Sequence, residues 1–168
     1  YLDVARGIPR PSGPPFTLNN AVDVLFKREF DIYRERQQPH PLFATVGLDA
    51  VPLRDPRIDA WRTNFTGVRW LDATTGWTLF GAVDDLWLGA DGQVMVADYK
   101  ATAKADELAA DQLYPGYRRQ AEIYQFLVAQ QGLTVSDRAW FAWTNGIKTA
   151  EAFDETLRFR TVLVPHAG

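Results

Sequence analysis

Two apolar runs joined by one tight turn constrain this chain more than any other feature. The runs span residues 77–88 and 93–99, and Ala90-Asp91-Gly92 stands between them. An Asp-Gly pair closes a hairpin because glycine takes the positive φ that such turns need. The runs are therefore expected to be neighbouring antiparallel strands. Side chains alternate between the faces of a strand, so Asp98 and Lys100 point the same way as Val94 and Val96. Asp84 and Asp85 lie inside the other apolar run, where a carboxylate is costly to bury without a partner. The hairpin lets one of them approach Asp98 across the ladder.

The rest of the chain is read around this hairpin. Residues 1–16 end in Arg10-Pro11-Ser12-Gly13-Pro14-Pro15 and are expected to be an extended arm, since proline at that density suits neither helix nor central strand. A helix is expected from Thr17 or Asn19 to just before Pro39 and Pro41. Its apolar residues Ala21, Val22, Leu25, Phe26, Phe30 and Tyr33 recur at helical spacing. Residues 48–64 read as irregular, with a helical turn around 57–63. Residues 67–72 read as a strand, the first of three with the two above. A polar linker follows over 104–111. A second helix is expected over 117–131, with Ala121, Tyr124, Leu127 and Val128 as its stripe and Gly132 as its C-terminal cap. Residues 138–144 form a fourth strand, Asn145-Gly146 a turn, and 157–164 a fifth strand. This order describes one α+β domain over residues 1–168, with a mixed sheet flanked by helices.

Composition narrows the chemistry. The chain has no cysteine, which excludes disulfides, cysteine-held zinc, iron–sulfur clusters and thiol nucleophiles. His40 and His166 are its two histidines, too few for a histidine-rich metal site. A metal ion would have to be held by oxygen, which favours Mg²⁺ or Mn²⁺. The formal net charge of −3 argues against tight, non-specific DNA binding through a basic face. It leaves a carboxylate metal site open. No apolar run approaches the roughly 20 residues that cross a bilayer, so no membrane association is expected. No signal-peptide core is visible, and a cytoplasmic location is the default expectation. The chain begins at Tyr1 rather than Met, as a fragment of a longer protein would.

Two carboxylates close together repel unless a cation lies between them. A hard divalent ion suits that position, and Lys100 beside it would orient water or stabilise developing negative charge. An isolated D-x-K is common at solvated strand ends, and Asp84-Asp85 alone would suit a turn. It is their occurrence on hairpin-connected apolar strands that points to a site.

Gly81-Ala82-Val83-Asp84 followed by Val96-Ala97-Asp98-Tyr99-Lys100 resembles the paired motifs of the PD-(D/E)xK nuclease superfamily. The likeness is to its RecB-like branch, which includes CRISPR-associated exonucleases. Gln120 and Tyr124 match the Q-x-x-x-Y motif of that branch, and a spacing of four puts both on one helix face. The resemblance covers roughly residues 18–144. It implies a restriction-endonuclease-like αβββαβ core and metal-dependent hydrolysis of DNA, by an exonuclease or end-processing enzyme of DNA repair, recombination or CRISPR-type defence. It implies Asp84 and Asp98 as ligands of Mg²⁺ or Mn²⁺, completed by the backbone carbonyl of Tyr99, and Lys100 as the residue that positions water. Gln120 and Tyr124 would support the site or contact nucleic acid. Relatives carry a His or an acid on the first helix. Here Asp23 is the candidate, with Glu29 and His40 as alternatives. Asp85 is the second choice for the Asp84 ligand if the strand carries a bulge. Some relatives hold a four-cysteine iron–sulfur cluster, which this chain has no residues for.

Arg118, Arg119, Lys104 and Lys148 are candidates for phosphate contact. Trp61, Trp70, Trp77, Trp87, Trp140 and Trp143 would stack on bases where exposed. The implied partner is DNA, within a larger nuclease–helicase or CRISPR-type complex. Two other readings compete. One is a catalytically silent domain of the same fold that binds nucleic acid or a protein. The other is an unrelated ligand-binding protein in which the carboxylates simply pair with Lys100.

Overall fold

The computed structural model describes residues 17–103 and 113–168. The expected arm, the polar linker and the candidate Lys104 lie outside the described residues. Helix α1 (Thr17–Arg36) is followed by the short α2 (Pro41–Ala44), strand β1 (Ala50–Pro52) and the short α3 (Ile58–Trp61). Strands β2 (Val68–Leu71), β3 (Thr78–Gly81), β4 (Asp85–Gly89) and β5 (Val94–Thr102) come next. Helix α4 (Pro115–Ala129) leads to β6 (Arg138–Gly146) and β7 (Phe159–Ala167).

The architecture is mixed α+β. A five-stranded sheet has the order β1-β4-β5-β6-β7, while β2 and β3 form a separate two-stranded sheet. β5 and β6 are parallel and the other neighbours in the large sheet antiparallel. A parallel pair needs a long crossover, and α4 lies within it. The hairpin between β4 and β5 forms as expected, with Gly92 at φ 79° in its turn.

β5 is covered on both faces, which explains its nearly continuous apolar sequence. Val94 and Val96 pack with Ala121, Leu127 and Val128 of α4. Met95, Ala97 and Tyr99 pack with Phe26 and Phe30 of α1. Phe30 stacks on Trp87 with ring centroids 5.4 Å apart. Burying a side chain of that size contributes roughly 1.5–3 kcal/mol.

Five features depart from the sequence reading. The run 77–88 is not one strand: it breaks at residues 82–84, and β3 and β4 belong to different sheets. At the break, Val83 N–H donates to the Trp61 carbonyl at 3.1 Å and Arg62 Nε donates to the Asp84 carbonyl at 3.1 Å. The α3 segment thus satisfies backbone groups that a continuous ladder would have used.

The strand over 67–72 forms as β2, but it pairs with β3 outside the large sheet. The large sheet instead takes β1, from the stretch expected to be irregular. Three residues ending in Pro52 are too short for a periodic signal, and proline suits only an edge. β6 continues through Asn145-Gly146, where a turn was expected, because β7 offers pairing as far as Phe159. Finally, Leu25 is 60% exposed, and the inward stripe of α1 is Val22, Phe26, Phe30 and Arg34. Among the described residues, no helix is long and apolar enough to cross a membrane.

Candidate active site

The strand break and the end of β5 open onto a cavity of about 400 Å³. Asp23 and Lys27 of α1, Asp84, Asp98 and Lys100, and Gln120 and Tyr124 of α4 all line it. Asp84 stands one residue before β4, and its Oδ2 accepts the Tyr99 backbone N–H at 2.9 Å. Asp84 and Asp98 are close enough for the Asp84 charge to disfavour ionisation of Asp98. Burial and then the neighbouring Asp84 push the Asp98 carboxyl up to about 7, against the pull of Lys100. Burial also raises the Asp84 carboxyl, against the opposing pull of Lys27.

Lys100 Nζ forms an ion pair with Asp98 Oδ2. It also donates to Gln120 Oε1 at 3.3 Å and lies 4.6 Å from the Tyr117 ring centroid. Gln120 Nε2 in turn donates to the Tyr124 hydroxyl at 2.9 Å. The Q-x-x-x-Y pair therefore acts through Lys100: Tyr124 holds Gln120, and Gln120 holds the ammonium. The Tyr124 ring lies against Gly81, where an added Cβ would meet Cε1 at 2.6 Å. This close approach is the physical reason for a glycine at that position.

Asp85, the second choice as ligand, is not available to a metal. It is fully buried on the α1 side of the sheet. Its carboxylate accepts from Arg34 Nη2, from Arg62 Nη2 at 2.9 Å, from the Tyr99 hydroxyl at 2.7 Å and from Leu86 N–H at 2.8 Å. Trp87 Nε1 adds a longer contact at 3.3 Å. With its lone pairs filled this way, Asp85 anchors β4 to α1 and α3.

His40 and Glu29 do not complete the site either. The His40 ring stacks on Phe30 at 4.0 Å, its Nε2 meets Glu29 Oε1 at 3.0 Å, and its Nδ1 accepts the Leu42 N–H at the start of α2. Burial lowers the His40 pKa, against the pull of Glu29. Asp23 does line the cavity, but its Oδ2 is paired with Lys27 Nζ at 2.9 Å.

The sequence reading missed Lys27 and Arg62. Lys27 Nζ lies 3.4 Å from Asp84 Oδ1. Burial disfavours its charge, but Asp84 and Asp23 outweigh that and raise its pKa. The four-residue spacing from Asp23 was the available signal. Arg62 grips Asp31, Asp85 and the Asp84 carbonyl at once, and no local pattern announces it.

Arg118 and Arg119 are on α4 but do not line this cavity, and Lys148 borders a separate hollow with Leu18 and Asn19. Trp61, Trp87, Trp140 and Trp143 are core residues, Trp70 is half-buried, and Trp77 is 78% exposed.

Among the described residues, no group of three or more His, Cys, Asp or Glu side chains is placed to hold a metal ion. The fit to Mg²⁺ or Mn²⁺ rests on two carboxylates. Asp98 Oδ2 is buried and, apart from its ion pair with Lys100, accepts no well-formed hydrogen bond among the described residues. Hard oxygen donors with that coordinating capacity suit Mg²⁺, which keeps several waters and borrows phosphate oxygens rather than needing an all-protein cage. No protein-family model, curated protein or solved structure matches the chain.

Proposed function

We propose that this chain is a metal-dependent nuclease domain of the PD-(D/E)xK type that hydrolyses phosphodiester bonds in DNA. The observation that carries the reading is the convergence of Asp84, Asp98 and Lys100 in one cavity, where the buried Asp98 Oδ2 has the Lys100 ammonium as its one partner among the described residues. The element order α1, β1, β4, β5, α4, β6 supports a restriction-endonuclease-like core, with β2 and β3 as an added hairpin.

In this reading Asp84, Asp98 and the Tyr99 carbonyl would hold the ion. A bound Mg²⁺ or Mn²⁺ would supply Lewis acidity and lower the pKa of the attacking water. Lys100, steadied by Gln120, orients that water and offsets negative charge developing on the phosphate. Tyr124 keeps Gln120 in place. Arg62 and Asp85 keep the strand break, and with it Asp84, in position.

One observation favours a second reading. Lys27 pairs with Asp84 and Lys100 with Asp98, so the carboxylates have counter-ions without a metal. A silent module binding nucleic acid or a protein would look the same. Cleavage of end-labelled single- and double-stranded DNA, with Mg²⁺ or Mn²⁺ and with chelator, separates the two. Metal-dependent cleavage lost in Asp98→Ala supports the nuclease. Binding without cleavage, indifferent to chelator, supports the silent module.

A further inference from the structure

We propose that Lys27 is a built-in cation of this centre: it stands where a further carboxylate ligand would, limits the site to one divalent ion, and receives the substrate phosphate. The proposal rests on the nuclease reading above. Its basis is the placement of one side chain. Lys27 reaches the cavity from α1, with Nζ 2.9 Å from Asp23 Oδ2 and 3.4 Å from Asp84 Oδ1. Its side chain is 23% exposed and lines the cavity. An ammonium has donors only and cannot ligate a metal.

Charge makes the consequence specific. Arg62 also lines the cavity but is committed to Asp31 and Asp85; the remaining charged groups, Asp23, Asp84 and Asp98 against Lys27 and Lys100, carry one net negative charge when ionised. One divalent ion turns this into one net positive charge, which matches the single negative charge of a phosphodiester. A second divalent ion would bring three net positive charges into a small, partly buried space. It would also have to sit beside the Lys27 ammonium, and like charges at that range repel strongly. The available lone pairs point the same way. Each Asp84 oxygen already has one partner, the Tyr99 N–H on Oδ2 and Lys27 on Oδ1, and Asp23 Oδ2 is held by Lys27, so the lone pairs left suffice for one ion shared with Asp98 and not for a second. The helix-side half of the cavity therefore offers a phosphate an ammonium rather than a metal.

Lys27→Gln keeps much of the side-chain length and removes the charge. Calorimetric titration with Mn²⁺ should give one ion per wild-type chain. In Lys27→Gln, Mn²⁺ should bind about tenfold or more tightly, because a repelling charge is gone. Cleavage at saturating Mn²⁺ should nevertheless fall, on the order of 100-fold, because the phosphate loses its donor. The salt dependence of DNA binding in chelator should weaken by about one phosphate contact. Lys27→Arg keeps the charge and should restore weaker Mn²⁺ binding and part of the cleavage. Tighter metal binding with slower cleavage is a combination that a merely structural lysine would not produce.

Unchanged or weaker Mn²⁺ affinity in a folded Lys27→Gln, or two ions per wild-type chain, overturns the role of Lys27. In that case the nuclease reading survives if the wild type still binds Mn²⁺ through Asp98 and cleaves DNA. A wild type that neither binds Mn²⁺, alone or with DNA, nor cleaves overturns both.

Discussion

Replacing Asp98 by Asn should stabilise the metal-free protein while removing its affinity for a divalent ion. The structure sets the size of the effect. The Asp98 side chain is 2% exposed, and its pKa rises from 3.8 to about 7 through burial and the adjacent Asp84. The folded chain therefore holds this proton more tightly than the unfolded chain, and stability falls as pH rises from about 4 to about 7. A gap of about 3 pH units at about 1.4 kcal/mol each gives about 4 kcal/mol above pH 7, of which roughly 1.5 kcal/mol remains at pH 5. Asn has the shape of the neutral acid and none of this cost.

The cavity beside Asp98 admits water, which screens part of the effect, so about 2 kcal/mol is expected at about pH 8. For a chain of this length that is a rise of roughly 4–8 °C in melting temperature. Thermal unfolding followed by circular dichroism in chelator, at about pH 8 and pH 5, measures it. The advantage of Asp98→Asn should shrink by more than half at the lower pH. Mn²⁺ at about 100 times its Kd should add about 2.7 kcal/mol to the wild type alone and so reverse the order. A variant that melts below the wild type at pH 8 in chelator, or a gap indifferent to pH, would refute the reasoning.

Other expectations follow from particular contacts. Lys100→Met should abolish detectable DNA cleavage yet leave Mn²⁺ binding at least as tight as in the wild type, as calorimetry beside a cleavage assay would show; loss of metal binding would contradict its role. Gly81→Ala puts a Cβ 2.6 Å from Tyr124 Cε1, so it should cost about 1–3 kcal/mol and lower cleavage by displacing Tyr124 and Gln120. Denaturant unfolding with single-turnover kinetics tests both parts. Arg34→Met leaves the buried Asp85 with Arg62 as its remaining cation, so about 3 kcal/mol of stability should be lost. An urea midpoint close to that of the wild type would show that Asp85 does not need the pair.

The local sequence determined what one element or one hairpin contains. The Asp-Gly turn set β4 against β5, and strand parity put Asp98 and Lys100 on the α4 face and Tyr99 on the other. Helical spacing put Gln120 and Tyr124 side by side; Gln120 then meets Lys100, and Tyr124 meets Gln120. Parity also separated Asp84 from Asp85, but periodicity does not reveal which carboxylate stays open.

Tertiary structure decided that. Arg34 from α1 and Arg62 beside α3 reach Asp85 across long stretches of chain and fill its lone pairs. The same segment captures the backbone at residues 83–84 and breaks what reads as one strand. β1 was invisible because three residues carry no period, and only the packing of α1 brings Lys27 beside Asp84. Alternation and turn chemistry are properties of neighbouring residues. The choice of counter-ion for a buried charge is set by whichever groups packing brings within a few ångströms, and those groups come from anywhere in the chain.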